Sequence, residues 1–196
     1  MQGFSKVQML STQQTLRWVW LAWIVYWFGS ALGTRRTVRR EPFAQRMGTI
    51  VVMVLAVGLL GLVDERFGFL GQRFVPDSES VHRMGLALTL AGLAFTVWAR
   101  IHLGQFWSAR VGLKEGHELI QSGPYAWVRH PIYSGILVAV MGSAVVAGDY
   151  RALLAVVLVW VALSLKARRE EKLLSEHFGE AFVQYCQRTG ALVPKF

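Results

Sequence analysis

Tyr-Arg-Ala-Leu-Leu-Ala-Val-Val-Leu-Val-Trp-Val-Ala-Leu-Ser-Leu, residues 150–165, runs without a glycine or proline into Lys-Ala-Arg-Arg-Glu-Glu-Lys-Leu-Leu at 166–174. The first part is a helix near the short limit for crossing a bilayer, about 17 residues. The second part continues that helix into water as a polar stem. Four further apolar runs lie upstream: Leu16 to Leu32, Met47 to Val63, from near Val81 to Trp98, and Pro131 to Ala147. No glycine-rich loop follows a strand pattern, so a Rossmann domain is not expected. The pattern predicts an all-α integral membrane protein of about five short transmembrane helices.

Composition agrees with this reading. Hydrophobic residues make up 54% of the 196 and charged residues 17%, against about 25% charged in a soluble domain. The mean hydropathy is +0.38. The net charge of +9 would suggest nucleic acid in a soluble chain. Here the basic residues sit between apolar runs, which points to anionic lipid headgroups and excludes nucleic acid as the expected partner. One cysteine, Cys186, excludes an intrachain disulfide and a four-cysteine metal site, and no metal is expected. Residues 1–15 are mixed and polar, and no small-residue cleavage site follows the first run, which therefore reads as a retained anchor. Its Trp18, Trp20, Trp23, Tyr26 and Trp27 suit interfacial belts.

Lys and Arg divide unequally between the two faces. Five follow the first run, four lie at 100, 110, 114 and 129, and six follow the fifth run, so 15 of the 21 share one side. The positive-inside bias puts the amino terminus outside and the carboxyl terminus in the cytoplasm. Residues 100–130 and the tail then share a face. Gly85 and Gly92 on the third run, and Gly135, Ala139 and Gly142 on the fourth, suit close helix packing in lipid.

Chemistry-bearing residues are densest at His-Glu-Leu-Ile-Gln-Ser-Gly-Pro-Tyr-Ala-Trp-Val-Arg-His-Pro-Ile-Tyr, 117–133. Gly123-Pro124 signals a turn, and Pro131 fits the first turn of a helix, where its missing N–H costs nothing. Arg129 and His130 stand at that helix's amino end, which favours an anion, and Tyr133 is one turn inside it. Lys166 and Glu170, four apart, share a face of the polar stem.

The run Ser-Gly-Pro-Tyr-Ala-Trp-Val-Arg-His-Pro-Ile-Tyr-Ser-Gly at 122–135, with Arg-Glu-Glu-Lys-Leu-Leu at 169–174 and His-Phe-Gly-Glu-Ala-Phe at 177–182, resembles the isoprenylcysteine carboxyl methyltransferases and related phospholipid methyltransferases. Leu103-Gly104 and Trp107-Ser108 fit the same pattern, and the likeness covers roughly residues 100 to 196. It implies S-adenosylmethionine as cofactor, with His117, Glu118, Leu119, Ile120, Tyr125, His130, Pro131, Tyr133 and Glu170 as contacts and Arg110 as a further polar one. Lys166 falls where the family has a basic residue near the substrate. Arg129, Tyr133 and Lys166 are the candidates to work on the acceptor. The sequence departs from the family at Phe182 and around Thr189-Gly190-Ala191; neither departure is expected to touch the methyl-transfer centre, and the tail is a candidate to help shape the site.

The organisation expected is helices one to three in residues 1–100 and the cofactor-binding, catalytic region in 101–196, with helices four and five and a cytoplasmic tail. The expected activity is methyl transfer to a lipophilic acceptor entering from the bilayer, with carboxyl methylation of an isoprenylcysteine first. Phospholipid N-methylation, small-thiol S-methylation, an NADPH-dependent membrane reductase and a non-catalytic binding protein are the alternatives.

Overall fold

The computed structural model describes residues 2–30, 37–40, 43–61, 65–104, 107, 112–114 and 118–195. Six α-helices dominate: α1 Gln2–Ser30, α2 Phe43–Gly61, α3 Glu79–Leu103, α4 Pro131–Ala147, α5 Tyr150–Phe178 and α6 Glu180–Arg188. The start of α4 is where Pro131 predicted it. Ser78 caps α3 by accepting the Val81 N–H, and Asp149 caps α5 by accepting the Ala152 N–H, as short polar side chains do at helix starts. Gly179, at φ +54°, breaks α5 from α6. A short ribbon accompanies the helices, with Thr37–Arg40 (β1) pairing antiparallel with Gly112–Lys114 (β2), and the tail beyond α5 contains α6.

α3 and α4 pack at backbone distance. A Cβ built on Gly92 would stand 2.5 Å from the Ala139 nitrogen and 2.6 Å from the Gly135 oxygen, and one on Gly142 would stand 2.5 Å from the Gly85 oxygen. Only hydrogen fits at such a crossing, as in small-residue interfaces in lipid. A polar ladder runs beside it. Thr89 Oγ1 lies 2.9 Å from the Gly85 oxygen and 3.2 Å from the Ala139 oxygen, and Ser143 donates to Ala139. The α1 indoles complete the ladder: Trp20 donates to Ser143 at 3.0 Å and Trp23 to Thr96 at 2.7 Å. Trp27 meets Trp107 edge-on. Trp20, Trp23 and Trp27 therefore tie α1 to the bundle, whereas Trp18 is exposed. Buried Arg100 joins two helix ends, donating to Ser30 O of α1 and to Gly104 O beyond α3 with its guanidinium over Trp107.

α2 packs on α5 around Ala56, Ala155 and Val159. α3 and α5 are long and apolar enough to cross a membrane, and Met47–Gly61 and Pro131–Ala147 are shorter apolar helices. Large apolar side chains, among them Val25, Phe28, Val54, Val57, Ile101 and Trp160, face outward on successive helices. A surface of that kind is stable in lipid, and the chain is an integral, multi-pass membrane protein. At the end of α4 remote from His130, Phe74 N–H donates to Gly148 O and Tyr150 N–H to Gln72 O, which joins the segment before α3 to the α4–α5 turn.

Candidate active site

α5 carries one buried stripe: Ala152, Ala155, Val159, Ala162, Leu163 and Ala167. Lys166 and Glu170 continue it past Leu165, where the apolar run ends. These polar residues arrive against the first turn of α4 rather than in solvent. The geometry is close. The Tyr133 hydroxyl donates to Glu170 Oε1 at 2.7 Å. His130 Nδ1 is 3.4 Å from Glu170 Oε2, and its Nε2 is 3.1 Å from Glu171 Oε1. The His130 ring lies parallel to that of Tyr133, with centroids 5.3 Å apart. Lys166 Nζ stands 5.2 Å from the Tyr133 ring centre.

Arg129 is held mainly by the protein. Its Nε donates to Glu171 Oε1 at 2.8 Å, and its Nη1 reaches the carbonyls of Thr189 and Cys186. The tail is thereby drawn onto the cluster, and Thr189, where the sequence departs from the family, touches Arg129. Arg129 N–H donates to Gly190 O at 2.9 Å, His130 N–H to Ala191 O at 3.0 Å, and Ser134 Oγ to Leu192 O at 2.6 Å. The first two satisfy backbone N–H groups just before α4, where no intrahelical partner exists. The Tyr185 hydroxyl donates to Tyr125 O at 2.7 Å, and Phe182 and Tyr185, three apart on α6, are both buried. Gly190 has no room for a side chain, since its Cβ would lie 1.7 Å from Val193 O.

Burial and charge set the ionisation. For His130 burial opposes the charged form, but hydrogen bonds and charges from Glu170 and Glu171 outweigh it and raise its pKa above the ordinary 6.5. Burial likewise works against an ionised Glu171, yet His130 and Arg129 hold its carboxyl down at about 2. Glu170 is also lowered: burial resists, and His130, Lys166 and Tyr133 prevail. Tyr125 is pushed well above the usual phenol range, chiefly by burial and then by the Glu170 charge.

Among the residues singled out from sequence, Arg129, His130, Tyr133, Lys166 and Glu170 meet in this cluster. Pro131 is buried at the first position of α4. Tyr125 is buried in the 3₁₀ turn Gly123–Ala126, within electrostatic reach of Glu170. Leu119 and Ile120 are half-buried, Ile120 packing against the core, while Glu118 is exposed. Arg110 and His117 lie outside the described residues. Glu171, Tyr185 and the 189–192 backbone were not anticipated. Glu171 had a signal, the acidic pair itself. The tail backbone had none, because main-chain acceptors leave no mark in a sequence.

Fold and site together define a helical, multi-pass membrane protein with a dense ionic centre where one long helix leaves the apolar bundle. A profile of the isoprenylcysteine carboxyl methyltransferase (ICMT) family matches residues 85–176, which hold Arg129, His130, Tyr133, Lys166, Glu170 and Glu171. The match takes in a little under half of the chain, and that stretch is similar to the family's integral-membrane proteins. It is 30% identical over 117 residues to protein-S-isoprenylcysteine O-methyltransferase B of Arabidopsis thaliana, covering 58% of this chain and 59% of that protein. It is 31% identical to the protein-S-isoprenylcysteine O-methyltransferase of Schizosaccharomyces pombe, covering 49% and 42% respectively. The chain thus spans about half the length of these curated relatives. A solved eukaryotic intramembrane Ras methyltransferase ICMT shares the fold, with a TM-score of 0.61 and 20% identity over 76% of this chain and 52% of that one.

Proposed function

We propose that the chain is an S-adenosylmethionine-dependent methyltransferase, with residues 101–196 as the reacting region and a lipophilic acceptor entering from the bilayer. The observation that carries this reading is the Lys166–Tyr133–Glu170–His130 cluster at the membrane exit of α5, inside the segment shared with the family. Its donor set suits the cofactor, which pairs a cationic sulfonium with a zwitterionic amino acid, ribose hydroxyls and an apolar base. Lys166 offers an ammonium to a carboxylate, Glu170 accepts from an ammonium or hydroxyl, and Leu119 and Ile120 offer apolar surface. Tyr125, Pro131, Glu118, Arg110 and His117 complete the proposed set. When bound, the cofactor supplies an electrophilic methyl group.

The residues around it orient the reactants and exclude water. They are poorly equipped to remove a proton. Both His130 nitrogens face carboxylates, and Tyr125 is held protonated. A carboxylate needs no deprotonation, whereas an ammonium does, so carboxyl methylation is favoured over phospholipid N-methylation, and a thiolate stands second. Lys166 and Tyr133 are assigned to the acceptor side. Arg129, whose donors go to Glu171 and the tail, is assigned to positioning in place of an acceptor clamp. Exposed Arg168 and Lys172 are assigned to anionic headgroups.

Calorimetry of the detergent-solubilised protein with S-adenosylhomocysteine and with NADPH tests the class. Binding of the first alone is expected, and binding of NADPH alone would replace the proposal with a reductase. Transfer of labelled methyl groups in liposomes to lipid acids, phosphatidylethanolamine and small thiols then ranks the acceptors.

The proposed topology is five crossings with the amino terminus outside and the site cytoplasmic, on the strength of the 15 of 21 basic residues sharing one side. Reporters fused after residues 40, 115 and 196 should be cytoplasmic, and those after 75 and 149 should be outside. An outer location for the residue 115 fusion would reverse the assignment.

A further inference from the structure

His130 stands between two carboxylates and uses both ring nitrogens toward them: Nδ1 at 3.4 Å from Glu170 and Nε2 at 3.1 Å from Glu171. A neutral imidazole has one N–H and one lone pair, and an ionised carboxylate only accepts. One of the two contacts would then oppose lone pair to lone pair. Neither glutamate relieves this by taking a proton, because each has cations of its own. Arg129 Nε is 2.8 Å from the same Glu171 oxygen, and Lys166 and the Tyr133 hydroxyl serve Glu170. The Tyr133 ring stacks parallel to the imidazole, which cannot turn away without breaking the stack.

We propose that Glu171 and His130 are positioning residues: a doubly protonated His130 bridges the two carboxylates and holds Glu170 in the orientation in which it meets its ligand. The chain of contact runs from Thr189 O through Arg129, Glu171, His130 and Glu170 to Tyr133, linking the docked tail to the site. The structural role of Glu171 is thus separate from that of Glu170, although the two are adjacent. That this orientation serves S-adenosylmethionine rests on the function proposed above, whereas the protonation of His130 does not.

The charged and titratable groups facing the bridge are few. α5 contributes Lys166, Glu170 and Glu171, and the start of α4 contributes Arg129 and Tyr133. Tyr125 acts on Glu170 from the 3₁₀ turn, and Tyr185 and Cys186 of α6 face Arg129 and Glu171. The sign follows from the cation. His130 is raised above 6.5, so its contribution is complete below that pH and is lost as pH rises through the raised value. Glu171, at about 2, is lost only far into acid. Above the ordinary carboxylate value of 4.5 and below 6.5 the bridge is intact.

The test uses the full chain in detergent micelles with ¹⁵N-labelled histidine. Of the five histidines, His130 is assigned by its absence in His130→Asn. The His130 titration midpoint should lie above the ordinary 6.5, and a midpoint at or below it would overturn the proposal. In Glu171→Gln the titration should move to lower pH. S-adenosylhomocysteine should bind about tenfold more weakly to this variant, with the deficit growing as pH rises, and Glu171→Asp should recover part of the loss. Unchanged titration and affinity in Glu171→Gln would also overturn it. If the variant fails to fold, the wild-type titration still decides the matter. If the wild type binds no S-adenosylhomocysteine, the methyltransferase reading fails while the histidine titration still judges the bridge.

Discussion

Glu170→Ala should weaken S-adenosylhomocysteine binding by about 1–3 kcal/mol, about fivefold or more in dissociation constant. Three groups lose a partner together. The Tyr133 hydroxyl loses this acceptor, His130 Nδ1 loses its carboxylate, and Lys166 loses a nearby anion. Because Glu170 is largely withdrawn from water, solvent cannot fully replace the carboxylate. Glu170→Gln separates shape from charge. Its amide oxygen can still accept from Tyr133, but it no longer balances Lys166 or the imidazolium, so an intermediate loss is expected. Calorimetry on the purified protein reads both variants. An unchanged dissociation constant in Glu170→Ala would make the residue a structural charge and remove it from the cofactor set.

Gly92→Val should lower the thermal unfolding midpoint more than any change at a lipid-facing glycine. The new Cβ meets the Ala139 nitrogen and the Gly135 oxygen at about van der Waals overlap, 2.5 and 2.6 Å. Both are backbone atoms of α4, so the clash can be relieved only by separating the helices. Overpacking of this kind costs about 1–3 kcal/mol, and here the separation also stretches the Thr89 and Ser143 ladder and its Trp20 bond. The built-in control is Gly58→Ala on α2, where nothing lies within 4 Å of the new carbon. That change should be neutral or stabilise slightly, since alanine is the better helix former by about 1 kcal/mol. Equal midpoints for the two variants would show that α3 and α4 do not meet at these glycines.

The membrane helices were legible because apolar runs and their breakers are local features. Pro131 marked the start of α4, and the aliphatic run from Tyr150 marked α5. Lys166, Glu170, His130 and Tyr133 were legible as a group because helical spacing and a shared membrane face bring them together. Three things were hidden, each for a physical reason. α6 has only Phe182 and Tyr185 to bury, a face too narrow to stand out from a charged tail. The β1–β2 ribbon is a few residues long and pairs positions more than seventy apart, so no local pattern announces it. Arg129 looked available because its partners include main-chain oxygens of a turn sixty residues downstream.

α5 has no glycine or proline between its Asp149 cap and Gly179, so it transmits rotation like a rigid shaft. Each inserted or deleted residue in its apolar half would swing the polar half by about 100°. Lys166 and Glu170 would then point away from α4 while the packing below them stayed in place. The length of that half is therefore free to change only in steps that return the shaft near its starting angle, three or four residues at a time. Membrane thickness can thus be matched only in coarse steps of about 5 Å, and the ionic centre keeps time with the lipid-buried stripe by angle rather than by depth.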